Sequence, residues 1–179
     1  MRKIVSGLMV TVDGVYEGED KWTAAYQSAE FGQAIGGLMM SGDTLLLGRT
    51  TYERFQEEFS TQSGGQADAM NFLPKHVVSN TLTSADWNNS TVIPGAELAE
   101  RLAALKDGEG ANINISGSGT LVRSLLEQGL LDELHLFVFP IVVGSGKGLF
   151  DGVESEFALE LKSSETLTNG VLHHVYSRA

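Results

Sequence analysis

Apolar and polar positions change period repeatedly along this chain. Ile4 to Thr11 is rich in β-branched and apolar residues and ends at Asp13-Gly14, which predicts a first strand closed by a turn. From Trp22 to Leu38 the apolar positions Trp22, Tyr26, Ala29, Ala34 and Leu38 recur at mixed three- and four-residue spacing, so an amphipathic helix is expected there, weakened at its end by Gly36-Gly37. A short apolar run, Thr44 to Leu47, closes on Gly48. Thr50 to Phe59 then places Tyr52, Phe55 and Phe59 on one side of a helix, and Ser60 to Gln66 reads as a mobile surface loop. His76 to Ser79 and Ser90 to Ile93 read as strands, Ala96 to Leu105 as a helix and Ile113 to Ile115 as a strand. Gly117-Ser118-Gly119 is a turn that opens a helix from Leu121 to Gln128. Leu134 to Val143 is a long buried strand interrupted by Pro140. Phe157 to Leu167 and Val171 to Tyr176 flank Asn169-Gly170, a strong signal for a two-residue hairpin. The alternation of strands and helices predicts an α/β fold with a mostly parallel sheet, helices on both faces and a terminal antiparallel hairpin.

Composition narrows the class. The 179 residues predict a single domain over 1–179. Lys plus Arg is 12 and Asp plus Glu is 23, a net charge of −11, so the clustered basic surface of a nucleic-acid binder is not expected. Cysteine is absent, which excludes disulfides, thiolate-ligated metals and a thiol nucleophile, and suits a cytoplasmic setting. No apolar run reaches the ~20 residues that span a bilayer, so no membrane partner is expected. The four histidines form no metal-binding set, because His76 and His135 are isolated and His173-His174 point to opposite sides of a strand.

In an open parallel sheet, ligands bind beyond the carboxyl ends of the strands. Three such ends carry small polar residues: Gly48-Arg49-Thr50-Thr51, Ser79-Asn80-Thr81 and Gly117-Ser118-Gly119-Thr120. The last either cradles an anion at the start of the following helix or is a tight turn with Ser118 or Thr120 as a cap. It lacks the third glycine of a dinucleotide fingerprint, since Val122 stands there. Arg49 either forks onto a phosphate or is solvated, and Thr50 and Thr51 add hydroxyl and amide donors. Two anion sites on one sheet suit a dinucleotide. Arg49 beside hydroxyls, with no acidic ribose reader after the glycine turn, favours NADPH over NADH. Gly144-Ser145-Gly146-Lys147-Gly148 fails the Walker pattern and reads as a flexible turn at the rim of the site. Asp13 either positions a substrate or relays a proton through water, or simply forms the turn before Gly14.

These residues resemble a known family. Gly48-Arg49-Thr50-Thr51-Tyr52-Glu53 is similar to the Gly-Arg-x-Thr-(Tyr/Trp)-Glu signature of dihydrofolate-reductase-like proteins. Leu8 to Gly14 resembles their first strand, Trp22 their active-site tryptophan, and Pro74 to Ser79 their second cofactor strand. The series from Ile115 through Gly117-Ser118-Gly119-Thr120-Leu121, Gly129-Leu130, Asp132-Glu133-Leu134 and Pro140 to Gly144 resembles the reductase domain of the bifunctional riboflavin-biosynthesis deaminase/reductase. The resemblance implies a sheet of about eight strands and NADPH held by Gly48, Arg49, Thr50, Thr51, Ser79, Asn80, Gly117, Ser118, Gly119, Thr120 and Leu121. It implies a small-molecule substrate, a pteridine, pyrimidine or ribosylamine, near Asp13, Trp22, Phe31 and Tyr52, and a homodimer. Gln27 stands where folate reductases carry a pterin-binding carboxylate, and the zinc-binding deaminase half is missing. The expectation is a stand-alone NADPH-dependent reductase; the alternative is a non-catalytic nucleotide-binding or interaction protein on the same fold.

Overall fold

A computed structural model describes residues 1–179. The chain runs β1 (Ile4–Thr11), α1 (Glu19–Trp22), α2 (Ala29–Met40), β2 (Gly42–Gly48), α3 (Arg49–Phe59), α4 (Gly65–Phe72), β3 (Lys75–Val78), β4 (Ser90–Ile93), α5 (Leu98–Asp107), β5 (Asn112–Ser116), α6 (Gly119–Glu127), β6 (Glu133–Phe139), β7 (Leu159–Thr166) and β8 (Leu172–Arg178). The eight strands form one sheet in the order β4-β3-β2-β5-β1-β6-β8-β7. All pairs up to β6 are parallel, and β8 and β7 add antiparallel strands at one edge. This is the expected dihydrofolate-reductase-like α/β architecture.

Strand alternation sorts the core into two faces. Ile4, Leu8 and Val10 of β1, Leu46 of β2 and Leu134 and Leu136 of β6 pack with Leu98 and Leu102 of α5 and with Leu121, Val122, Leu125 and Leu126 of α6. On the opposite face, Leu45 and Leu47 meet Tyr52 and Phe59 of α3, while Phe137 and Phe139 meet Trp22 and Phe31. The reason is topological. The connection from β1 to β2 travels one way along the sheet and that from β5 to β6 travels the other, so right-handed crossovers put α2 and α6 on opposite faces.

Local chemistry explains where the elements differ from expectation. The single helix predicted from Trp22 to Leu38 is broken. A 3-10 turn spans Thr23–Tyr26, Gln27 is extended (φ −63, ψ 130), and the Ser28 hydroxyl accepts from the Phe31 amide at 3.1 Å to start α2 afresh. The expected loop holds from Ser60 to Gly64, but its last two residues, Gly65 and Gln66, open α4, whose Ala67 and Met70 are buried against Phe59 and Trp87. Two glycines with positive φ, Gly64 and Gly65, mask its beginning. The strand expected to run to Val143 stops at Phe139, because Pro140 has no amide to donate. The hairpin turns where expected, with Asn169 (φ 69) and Gly170 (φ 79) both left-handed, as a primed turn requires.

Candidate functional site

The site begins where two strands part. β1 pairs with β5 only from Ile4 to Gly7, whereas its pairing with β6 continues to Thr11. Beyond Gly7 and Ser116 the sheet therefore opens at the position where the strand order reverses, the place where α/β sheets hold ligands. A cleft of about 830 Å³ lies there. Gly7, Leu8 and Met9 form one wall, and the turns after β2 and β5 form the other.

Those two turns touch. A side chain at Gly48 would collide with the Ser118 hydroxyl group, and a Cβ at Gly117 (φ +67) would come within 3.3 Å of Thr51. The starts of α3 and α6 are thus brought together by glycines that no larger residue could replace without displacement. Ser118, the residue before α6, is left-handed (φ 61, ψ 60) and its side chain makes no capping bond; Gly48 offers none to α3. Both helix starts keep amides that no side chain satisfies, and both face the cleft, a donor set suited to an anion.

Around this centre the structure gathers most of the residues expected to hold a cofactor. Gly48, Arg49, Thr50, Thr51, Asn80, Gly117, Ser118, Gly119, Thr120 and Leu121 all line the cleft. Arg49 donates from Nε to Glu53 at 2.7 Å and from Nη1 to the Thr81 hydroxyl at 2.7 Å. Asn80 accepts from the Gly95 amide at 2.8 Å through its Oδ1. Ser79 does not line the cleft. Its hydroxyl instead accepts the amides of Thr81 (3.2 Å) and Leu82 (3.0 Å) and folds the chain after β3.

The residues expected near a substrate lie elsewhere. Tyr52 is 2% exposed, packs in the core of α3, and accepts the Trp87 amide at 3.0 Å through its hydroxyl. Trp22 and Phe31 stand edge-on to Phe139 at 5.2 and 5.4 Å and are buried on the α2 face of the sheet. Together with Leu167 and Val171 they form one buried cluster with Phe137 and Phe139. Asp13 is exposed but committed. It accepts from the Thr11 hydroxyl at 2.5 Å and from the amides of Gly144 (2.8 Å) and Val143 (3.4 Å), and these bonds hold its carboxyl below the usual range. Asp13 does not line the cleft; its carboxylate holds a loop.

What Asp13 holds is the Gly144–Gly148 segment. Gly148 bridges Val15, the Tyr16 amide donates to the Lys147 carbonyl at 3.1 Å, and Arg123 donates to the carbonyls of Gly148 and Leu149. Lys147 consequently stands at the cleft rim, 3.7 Å from Glu17. Sequence reasoning missed Tyr16, Glu17, Glu19, Asp20 and Arg54, which also line the cleft. Tyr16 rests on Gly119, where a Cβ would meet its ring at 2.7 Å. These residues carry no motif; the available signals were the position of Tyr16, Glu17, Glu19 and Asp20 just beyond the first strand and that of Arg54 in the helix that follows Gly48.

The comparisons agree with this fold. The family described as RibD C-terminal domain matches residues 2–173. The uncharacterized protein YyaP of Bacillus subtilis (strain 168) is 26% identical over 183 residues, covering 98% of this chain and 94% of its own. Among solved structures, a putative riboflavin biosynthesis protein from Shewanella sp. PV-4 superposes with a TM-score of 0.76 at 22% identity, covering 99% of both chains. Dihydrofolate reductase from Enterococcus faecalis, solved with NADP(H), superposes with a TM-score of 0.61 at 16% identity, covering 98% of this chain and 96% of its own. No helix is long and apolar enough to cross a membrane.

Proposed function

The chain belongs to the RibD C-terminal domain family, and on that premise we propose that it is an NADPH-dependent reductase. Its substrate is a small heterocycle of the pteridine, pyrimidine or ribosylaminopyrimidine kind, reduced at a C=N or C=O group. The observation that carries the reading is the pair of helix starts, α3 and α6, meeting across Gly48 and Gly117 with no side-chain cap on either. Their amides and the hydroxyls of Thr50, Thr51 and Thr120 are the donors for a pyrophosphate. Arg49 and Asn80, which line the same cleft, are the donors for a 2′-phosphate.

The residues present fit such a group, because both helix starts border the cleft and neither carries a side-chain cap. When bound, the reduced nicotinamide supplies the hydride; the protein supplies position and electrostatics. Leu8, Met9 and Tyr16 give the cleft its apolar wall beside the parted strands. With Asp13 committed to Thr11 and Gly144, the proton comes from solvent through the open cleft.

Fluorescence titration of NADPH and NADH tests the reading. Replacing Arg49 with Ala removes charge-assisted hydrogen bonds, so NADPH binding weakens about tenfold or more while NADH binding changes little. Equal losses for both nucleotides reject the 2′-phosphate role. Absence of saturation by NADPH in the unaltered protein rejects the function itself.

A further inference from the structure

Arg49 is half exposed, and an arginine with that freedom is usually mobile. Here two contacts from different elements fix it. Its Nε donates to Glu53, one turn along α3, and its Nη1 donates to Thr81, 32 positions away in the chain. A guanidinium carries five N–H groups. Two are thereby used, and the other three are aimed by the plane those two define.

Thr81 is itself held firmly. Its amide and that of Leu82 both donate to Ser79 Oγ, its hydroxyl lies 3.4 Å from the same oxygen, and the intervening Asn80 is tied to Gly95. The segment after β3 is thus a rigid post against which Arg49 rests. Thr81 does not line the cleft, so whatever it contributes passes through Arg49.

We propose that Thr81 is a positioning residue that orients Arg49 and thereby sets the preference for a 2′-phosphorylated over an unphosphorylated nicotinamide nucleotide. The proposal rests on the cofactor reading above. Its physical basis is preorganisation: a fork already aimed loses little rotamer freedom when a phosphate arrives. Without the Thr81 hydroxyl, Arg49 is free to turn both its Nε and its Nη groups onto Glu53, which neutralises it. The 2′-phosphate is the group that distinguishes the two nucleotides, so the effect falls on one of them alone.

The test is the ratio of NADPH to NADH dissociation constants in the full chain, measured for the unaltered protein, Thr81→Val and Thr81→Ser. Thr81→Val keeps the shape of threonine and removes the hydroxyl. It weakens NADPH roughly fivefold, the cost of immobilising one long side chain, and leaves NADH within about twofold. Thr81→Ser restores the NADPH value. An unchanged ratio in Thr81→Val overturns the proposal while leaving the cofactor reading intact, and so does an equal loss of both nucleotides, which marks a purely structural post. If the unaltered protein binds no NADPH, the cofactor reading falls first and the proposal with it.

Discussion

At the residue scale, buried Lys75 is the most unusual feature. No carboxylate neutralises it. Its Nζ donates to the carbonyls of Met70 (2.7 Å) and Leu73 (2.6 Å) and lies 4.3 Å from the centre of the Trp87 ring. It thus caps the end of α4 and seats that helix on the sheet. Burial pushes its pKa down to about 8 from 10.5. The folded state therefore holds the proton less tightly than the unfolded chain, and between pH 8 and 10.5 the unfolded chain binds more protons. Stability at this residue rises with pH across that window. Urea midpoints at pH 7.5 and 9.5 check this: the unaltered protein gains on Lys75→Met with rising pH, by no more than about 1.4 kcal/mol per pH unit. A parallel pair of curves would deny the shift. No motif announces this role, since a lysine at the first position of a strand is commonly solvated. By contrast, Gly48, Arg49, Gly117 and Gly119 were readable, because a glycine or an arginine at a strand end has few uses.

At the element scale, β6 and β8 are joined by a pair of imidazoles. His135 Nδ1 and His173 Nε2 are 3.0 Å apart, and His173 lies flat on Phe137 with ring centres 4.3 Å apart. Glu133 stands 3.7 Å from the other nitrogen of His135. Burial lowers the pKa of both histidines; for His173 the neighbouring His135 and His174 lower it further, whereas Glu133 partly opposes the shift at His135. A lowered histidine pKa means the pair is stable while neutral and loses stability as pH falls below 6.5. In His135→Gln the facing charges are gone, so stability measured by urea unfolding falls less between pH 6.5 and 5 than in the unaltered protein. The sequence showed His135 on an alternating strand but not its partner, because pairing across strands depends on register. The same holds for α4 and for the break at Gln27. Short elements are held by packing and single caps rather than by periodicity.

At the scale of the whole molecule, ligand binding and folding are linked. A ligand that binds only the folded chain adds about 2.7 kcal/mol at a hundred times its dissociation constant. For a chain of this size that raises the melting temperature by about 5–10 °C. NADPH at that excess is expected to give such a rise in a calorimetric scan, and NADH at the same concentration a smaller one. No shift with either would contradict the proposed function. The alternation of helices and strands, the Asn169-Gly170 hairpin and the glycine turns were all legible by themselves, since each depends on neighbours in the chain. The sequence by itself thus determined the α/β class, the eight strands and the two glycine turns that border the cleft. It did not determine that Tyr52 would face the core, that Asp13 would hold the Gly144 loop, or that Tyr16 and Arg54 would line the cleft. Only the tertiary structure decided those, because the side of a sheet that a residue serves depends on which way the crossovers run, and that is a property of the assembled chain.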